Sequence, residues 1–469
     1  MIFITLPDWL IAIEVVWVVA LSAYIILERR PPLATLAWIV GLATLPLVGF
    51  AVYYFVGPRR LDRKRRRRIM ARSANRTRPN REMLRDALGH AGERLARVAT
   101  GTEQPPPLHA THVQLFHIGS AAYDAIIDAI GAATHHVHLE YYILTEGVVA
   151  ERIRTALIER ARAGVQIRLL LDGLGTSRLG EFLQPLRAAG VEIARFGPRM
   201  RPGFVNFRTH RKIVVCDGRT GFTGGMNIDD CHDELVVGVE RGWRDTQVEL
   251  HGDAVAPLAI AFLEDWQYAT DIVLDGIAFL PALTEVGDTF VQICASGPDA
   301  HPQSIHAVLF TAISTARERV WISTAYFVPD ESMQEALTVA ALRGVDVRVL
   351  LSAKSDHALV DAAARSYFPE MLASGVKLYG YGPPSLHSKT LVVDHDAAIV
   401  GTANLDNRSL RLNFEVLAIC YGAAAVTDLA RAFEHDLQRA HRITAQDVAK
   451  SSIGARLFEG VARLFSPML

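Results

Sequence analysis

Two long apolar runs open the chain. Residues 9–27 are apolar except for Glu14 and Ser22, and residues 33–56 carry no charge. A membrane-spanning helix needs about 20 apolar residues, so the pattern predicts two transmembrane helices. Between them lies a polar turn, Glu28-Arg29-Arg30-Pro31-Pro32, whose prolines resist helix continuation. A cleaved signal peptide fits less well, because residues 1–7 include no basic side chain. Beyond residue 110 the pattern becomes short apolar strands alternating with helical stretches, and it runs through twice. Residues 136–143 and 320–327 read as matching strands. Gly164 before 165–171 matches Gly344 before 345–351, and Gly190 before 191–193 matches Gly375 before 376–378. The last pair closes on Gly197-Pro198 in one copy and Gly382-Pro383 in the other.

This order predicts a duplicated α/β fold, with two pseudo-two-fold-related, mixed or mainly parallel sheets flanked by helices, following the transmembrane hairpin. The expected boundaries are a hairpin over 1–58 and a basic juxtamembrane segment and linker over 59–110, ending in Pro105-Pro106-Pro107. A first repeat over 111–285 and a second over 286–469 follow. In the tail of the second repeat, Ile453, Leu457, Val461 and Leu464 recur near helical spacing. That helix is expected to pack on the core, with a position on a membrane surface as the alternative.

Charge adds an orientation. The 469 residues carry 49 Lys and Arg against 50 Asp and Glu, a formal net charge of −1, which excludes a globally basic nucleic-acid binder. The basic residues are concentrated: Arg59, Arg60, Arg63, Lys64, Arg65, Arg66, Arg67 and Arg68 follow the second apolar run directly. The positive-inside rule places this collar in the cytoplasm, with the catalytic part beside it, and anionic lipid headgroups favour it. The four cysteines, Cys216, Cys231, Cys294 and Cys420, are scattered and form no zinc or disulfide framework, consistent with free thiols in a reducing compartment.

The chemistry lies in a motif that occurs twice: His210, Lys212 and Asp217, then His387, Lys389 and Asp394. With Gly224 and Asn227 against Gly401 and Asn404, every second-copy residue lies 177 positions after its counterpart. On a strand, residues i and i+2 share a face, so each histidine projects with its lysine, while the aspartate falls on the other face or in the next turn. One copy would be weak evidence. Two copies in a duplicated fold can bring two imidazoles and two ammonium groups to one cleft, a set suited to phosphoryl chemistry. One histidine attacks phosphorus, the other handles the proton of the leaving and entering alcohols, and the lysines stabilise the non-bridging oxygens. Each ring needs a partner on its second nitrogen. Asp245 follows the first motif and Glu415 the second, either as such partners or as ordinary salt-bridge carboxylates. The acidic run Asp229, Asp230, His232, Asp233 and Glu234 and the cluster His135, His136 and His138 match no strong metal-ligand spacing, and read as a solvated loop and an ordinary strand.

The paired motifs resemble the phospholipase D superfamily. The wider set, including Gly224-Gly225-Met226-Asn227, Trp243-Arg244-Asp245-Thr246 and residues 401–409, resembles the bacterial cardiolipin synthases within it. The resemblance covers essentially the whole chain. It implies a phospholipase D-like domain in each repeat, and condensation of two phosphatidylglycerol molecules to cardiolipin and glycerol through a phosphohistidine, without metal, nucleotide or other cofactor. It also implies a catalytic set of His210, Lys212, Asp217, His387, Lys389 and Asp394. His210 would be the nucleophile, His387 the acid/base, Asp245 and Glu415 the histidine-orienting carboxylates, and Asn227 and Asn404 support for the phosphate site. The implied partners are phosphatidylglycerol and anionic membrane lipids, not nucleic acid. The implied location is the bacterial cytoplasmic membrane, multi-pass, with the catalytic part on the cytoplasmic side.

Overall fold

The structure is a computed structural model that describes residues 8–27, 32–44, 49, 81–197, 207–299 and 303–469. An N-terminal unit holds helices α1 (Asp8–Leu27) and α2 (Pro32–Thr44), which pack on each other around Ile25 and Leu42. At 1.5 Å per residue α1 is about 30 Å long. Over the described side chains, which in α1 begin at Val15, no helix is long and apolar enough to cross a membrane. The second expected span is described only as far as Thr44 apart from Gly49, and the basic collar at 59–68 lies outside the described residues.

The large unit, 62–197 with 207–469, contains both repeats. In the first, strands β2 (His112–Phe116), β3 (His136–Tyr141), β4 (Gln166–Asp172), β5 (Glu192–Phe196), β6 (Ile213–Cys216), β7 (Thr220–Gly224) and β8 (Gln247–His251) form one sheet in the order β2-β8-β7-β6-β3-β4-β5. The second sheet repeats that order with β9 (Thr289–Ser296), β17 (Glu415–Tyr421), β15 (Ala397–Gly401), β14 (Thr390–Val393), β10 (Arg319–Thr324), β12 (Asp346–Ser352) and β13 (Lys377–Tyr381). It gains an edge strand at each side, β1 (Leu108–Ala110) and β18 (Ala440–Ile443). A separate parallel pair joins β11 (Phe327–Val328) to β16 (Leu405–Asp406). The duplication is therefore a duplication of topology, strand for strand.

The sheets are mixed rather than mainly parallel. In the first, β3-β4 and β4-β5 are parallel, whereas the other four pairings are antiparallel. Only those parallel pairs carry helical crossovers. Each catalytic motif instead sits just before a strand that turns straight back on itself, β6 to β7 and β14 to β15, and a direct turn back can produce only an antiparallel pair.

Each repeat buries its own core. In the first, Val137, Leu139, Leu169, Val214 and Phe222 meet Tyr123, Ile126 and Ile130 of α4 (Gly119–Ala132) and Ile153 and Leu157 of α5 (Val148–Arg162). In the second, Val320, Ile322, Val347, Leu391 and Ile399 meet Val308 and Ala312 of the helix Ser304–Thr315. The segment read from sequence as a linker belongs to this second core. Helix α3 (Arg81–Gly101) inserts Leu88, Ala91, Leu95 and Ala99, each at most 3% exposed, and β1 then pairs with β9. The arginines of this stretch mask an apolar stripe of i, i+3, i+4 spacing.

Asp217 and Asp394, grouped with the catalytic set, stand at the far ends of β6 and β14 and do not join the histidines. Both adopt positive φ, 53° and 48°, in the turn that follows the strand. Asp217 accepts backbone N–H groups from Thr134, His135 and His136 at 2.8–2.9 Å. Asp394 likewise accepts those of Arg317, Glu318 and Arg319, at 2.8–3.1 Å. Each carboxylate thus ties its motif strand to the start of the neighbouring strand, β3 or β10. Hydrogen bonds to a charged acceptor contribute about 1.5–3 kcal/mol, so Asp394→Ala is expected to lower unfolding stability by roughly that amount in urea titration. Asp394→Asn, which keeps the left-handed turn and part of the acceptor, is expected to lose less. Undiminished stability with abolished activity would return this aspartate to the chemistry.

Candidate active site

Immediately before β6 and β14, the segments carrying His210 and His387 leave their own sheets and meet the other repeat. His210 N–H donates to the Phe414 carbonyl at 2.9 Å, and Phe414 N–H donates to the Arg208 carbonyl at 2.8 Å. The second motif repeats this: His387 N–H to the Arg244 carbonyl at 2.7 Å, and Arg244 N–H to that of Ser385 at 3.0 Å. Phe414 and Arg244 directly precede Glu415 and Asp245. The carboxylates are therefore exchanged. His210 Nδ1 lies 3.0 Å from Glu415, and His387 Nδ1 lies 2.7 Å from Asp245. Sequence order places each carboxylate after the motif of its own repeat, but each serves the histidine of the other.

With Nδ1 bonded to a carboxylate, each ring holds its proton there and presents Nε2. The lysines stand beside them: Lys212 Nζ donates to the His210 carbonyl at 2.8 Å, and Lys389 Nζ to the His387 carbonyl. The cross-repeat hydrogen bonds bring all four side chains to the junction of the two repeats, where burial and the charges of both Lys212 and Lys389 depress each histidine well below its usual value. Burial lowers the lysines as well, Lys212 to about 7 and Lys389 to about 8, against the pull of Glu415 and Asp245. Burial raises Glu415 to about 7 and lifts Asp245 too. The result is a desolvated, cation-rich pocket that favours a bound anion. Asn227 and Asn404 are both buried, each with an amide oxygen that has no hydrogen-bond partner among the described residues.

The two halves differ around their carboxylates. Glu415 accepts from Thr402 Oγ1 and from Asn413 Nδ2 at 3.1 Å, and the Ser409 hydroxyl adds to this support. At the position equivalent to Thr402 the first repeat has Gly225, where a Cβ would stand 2.1 Å from Asp245 Oδ1. Only glycine leaves room for that carboxylate. At the position equivalent to Ser409 it has His232, buried at 1% exposure with Nδ1 3.5 Å from Asp245 Oδ2. Its ring lies edge-on to His387, centroids 5.2 Å apart, with Trp243 against both. Tyr142 lies edge-on to His210 at 5.0 Å.

His232 is the residue the sequence concealed. It sits in an acidic run read as a solvated loop, yet its neighbours there are caps. Asp229 accepts from Cys231 N–H, Asp230 from Val148 and Val149 N–H, and Asp233 from Leu235 N–H. The signal that points to it is its place 177 positions before Ser409. Among the described residues one set could hold a metal, His232, Asp245 and His387, with ligand atoms within 4.8 Å of one another. An ion there would have to displace the Asp245–His387 hydrogen bond. His136 and His138 are instead core residues, packed on Phe279 and Phe262. Arg211, between the motif histidine and lysine, is fully buried and links the halves, pairing with Asp265 and donating to the Glu415 carbonyl at 3.1 Å.

Comparison with known proteins agrees with this geometry. The family model described as "Cardiolipin synthase, PLD-like domain" matches residues 126–235 and 309–437. A second, "Phospholipase_D-nuclease N-terminal", matches 9–58. The cardiolipin synthase of Alkalihalophilus pseudofirmus is 37% identical, covering 99% of this chain and 95% of that protein. Cardiolipin synthase 1 of Bacillus cereus is 35% identical, covering 100% and 95%. In fold, the crystal structure of phosphatidylserine synthase from Haemophilus influenzae superposes with a TM-score of 0.63 at 13% identity, covering 80% of this chain and all of that one. Two histidine–lysine pairs in one cleft, on a strand-for-strand duplicated fold, with relatives matched along nearly the full length, show that the chain belongs to the cardiolipin synthase family of phosphatidyltransferases.

Proposed function

We propose that the enzyme transfers a phosphatidyl group from one phosphatidylglycerol to the free hydroxyl of another, giving cardiolipin and glycerol. The observation that carries this reading is the reciprocal pairing of His210 with Glu415 and His387 with Asp245. In the first half-reaction His210 Nε2 attacks phosphorus and the P–O bond to the headgroup glycerol breaks, while His387, which enters this step as the imidazolium stabilised by Asp245 and the bound phosphate anion, gives its Nε2 proton to the departing alkoxide. In the second, His387 removes the proton from the acceptor hydroxyl, which attacks the phosphohistidine and frees His210. Lys212 and Lys389 neutralise the charge that builds on the non-bridging oxygens. The assignment of His210 as nucleophile follows the family resemblance. It also suits the asymmetry of the site, since Asp245 lies against two imidazoles and can stabilise a proton passing through His387. Asp217 and Asp394 act on the fold, and the family resemblance assigns Asn227 and Asn404 to support of the phosphate site.

The apolar segments at 9–27 and 33–56 anchor the enzyme in the cytoplasmic membrane, and the collar at 59–68 marks the cytoplasmic face. The uncharged run 33–56 and the basic collar directly after it support this anchor.

Purified enzyme in vesicles containing phosphatidylglycerol alone is expected to release glycerol and form cardiolipin, measured by mass spectrometry. Phosphatidic acid without cardiolipin would instead establish a hydrolase. His210→Ala and His387→Ala are each expected to lower turnover by about a thousandfold or more; full activity in either would refute the shared site.

The working form needs Glu415 ionised and both lysines protonated. Glu415 is raised to about 7, so activity falls as pH drops through that value and the carboxylate is lost. Lys212 and Lys389 are lowered to about 7 and 8, so activity falls again as pH rises past them. The dependence of kcat/KM on pH is expected to be a narrow bell with its maximum between these limbs, and Glu415→Gln is expected to remove the acid limb. A profile flat from about pH 6 to 9 would contradict the assignment.

A further inference from the structure

The helix Ile453–Leu464 docks on the second repeat with the face opposite to its apolar one. Its buried side consists of Glu459 and Ala462, and Ser466 continues it. Glu459 bonds Arg365 at 3.1 Å, Arg463 bonds Glu370 at 3.2 Å, and the Tyr367 hydroxyl donates to Ser466 Oγ at 2.7 Å. These contacts hold the helix through polar and small groups. The four residues whose spacing predicts core packing point outward: Ile453 is 83% exposed, Leu457 69%, Val461 43% and Leu464 78%. Phe458, Phe465 and Met468 extend the same exposed surface. A core-facing helix would reverse this arrangement.

We propose that this face is a membrane-docking surface that lies in the headgroup region of an anionic bilayer. The proposal rests on the lipid-substrate reading above. Three observations select a lipid occupant. The helix has the composition of an interfacial helix: large aliphatic and aromatic groups on one side, and length too short to span. Between Ile453 and Met468 the only side-chain carboxylate is Glu459, and it is buried and paired, so no acid faces outward. Arg456, exposed beside the apolar stripe, has no carboxylate partner among the described residues, and its contact there is to the Ser451 carbonyl.

The same segment is wired to the catalytic cleft. Arg408 N–H donates to the Leu469 carbonyl at 2.8 Å, in the short helix Asn407–Arg411. Asp406 caps that helix through Ser409 N–H at 2.6 Å, and its charge acts on Lys389. Docking through Ile453–Leu464 therefore sets the height and tilt of the cleft above the lipid from which both substrates are drawn.

The test uses full-length enzyme reconstituted in vesicles of phosphatidylglycerol and phosphatidylcholine. A bimane label is placed at Leu457→Cys in a Cys231→Ser background. Lipids brominated in the acyl chain are expected to quench the label, and aqueous iodide to quench it little. In parallel, the double variant Leu457→Glu, Val461→Glu is expected to lose about tenfold in rate on bilayer phosphatidylglycerol and to keep its rate on a monodisperse short-chain phosphatidylglycerol. Equal loss on both substrates would make the helix a structural part of the site and overturn the proposal. Iodide quenching without bromolipid quenching would overturn it too. So would label-to-label energy transfer in dilute detergent, which would identify a second copy as the occupant. If wild-type enzyme transferred no phosphatidyl group to either substrate, the lipid-acceptor reading would fail, while bromolipid quenching would still report on the helix.

Discussion

The structure depends on an exchange of carboxylates between two copies of one fold. Each repeat makes a histidine and a lysine at the start of one strand and a carboxylate at another, β17 in the second repeat and just ahead of β8 in the first, but the carboxylate completes the other copy's histidine. Backbone hydrogen bonds on both sides of each contact fix the register, His210 to Phe414 and His387 to Arg244. Neither half can orient its own imidazole. The pseudo-two-fold axis is thus a chemical requirement as well as a consequence of duplication, and it explains why fully buried groups such as Arg211 are spent on joining the halves.

The cost of this arrangement is carried by the cations. A lysine held at about 7 instead of its ordinary 10.5 has lost on the order of 5 kcal/mol of preference for its charged form. A phosphodiester anion about 4 Å away returns about 4 kcal/mol at the effective dielectric of a partly buried site. The two magnitudes are comparable. The cleft is therefore most at ease when an anion fills it, and the same electrostatics that destabilise the lysines favour the substrate and the more highly charged transition state. The second repeat supports its carboxylate with neutral donors, Thr402, Asn413 and Ser409, whereas the first surrounds Asp245 with a second imidazole. Two chemically distinct half-sites are what a reaction with one nucleophile and one proton carrier requires.

Much of this was legible in the chain. The constant spacing of 177 residues fixed the repeat and both His–Lys pairs, because strand periodicity leaves little freedom in where i and i+2 point. The strand–helix alternation gave the parallel pairs β3-β4-β5 and β10-β12-β13. The antiparallel return of β6 to β7 was written there too, in the polar turn Asp217-Gly218-Arg219 between two short apolar runs, matched by Asp394-His395-Asp396 in the second copy, but the strand–helix alternation drew the reading toward parallel sheets. Leu88, Leu95 and Ala99 were hidden by surrounding arginines. The exchange itself could not be read at all: sequence order says which carboxylate follows which motif, not which histidine it meets across an axis. His232 was masked by acidic neighbours whose work is capping backbone N–H groups. The tail helix packs on the second repeat, but through Glu459 and Ala462 and not through its apolar stripe, because periodicity reveals an apolar face but not what covers it.

The exchange can be tested by separating the half-reactions. A phosphatidyl donor with a p-nitrophenolate leaving group needs no acid for the first step, so burst formation of the phosphohistidine reports on His210 alone. With the carboxylates exchanged, Glu415→Gln should suppress the burst. Asp245→Asn should leave the burst intact and let the His210 adduct accumulate, because the step that needs His387 is slowed; rapid quench with mass-spectrometric mapping of the adduct reads both. The reverse pattern, with Asp245→Asn abolishing the burst and Glu415→Gln trapping the adduct, would show that each carboxylate serves the histidine of its own repeat and would contradict the account.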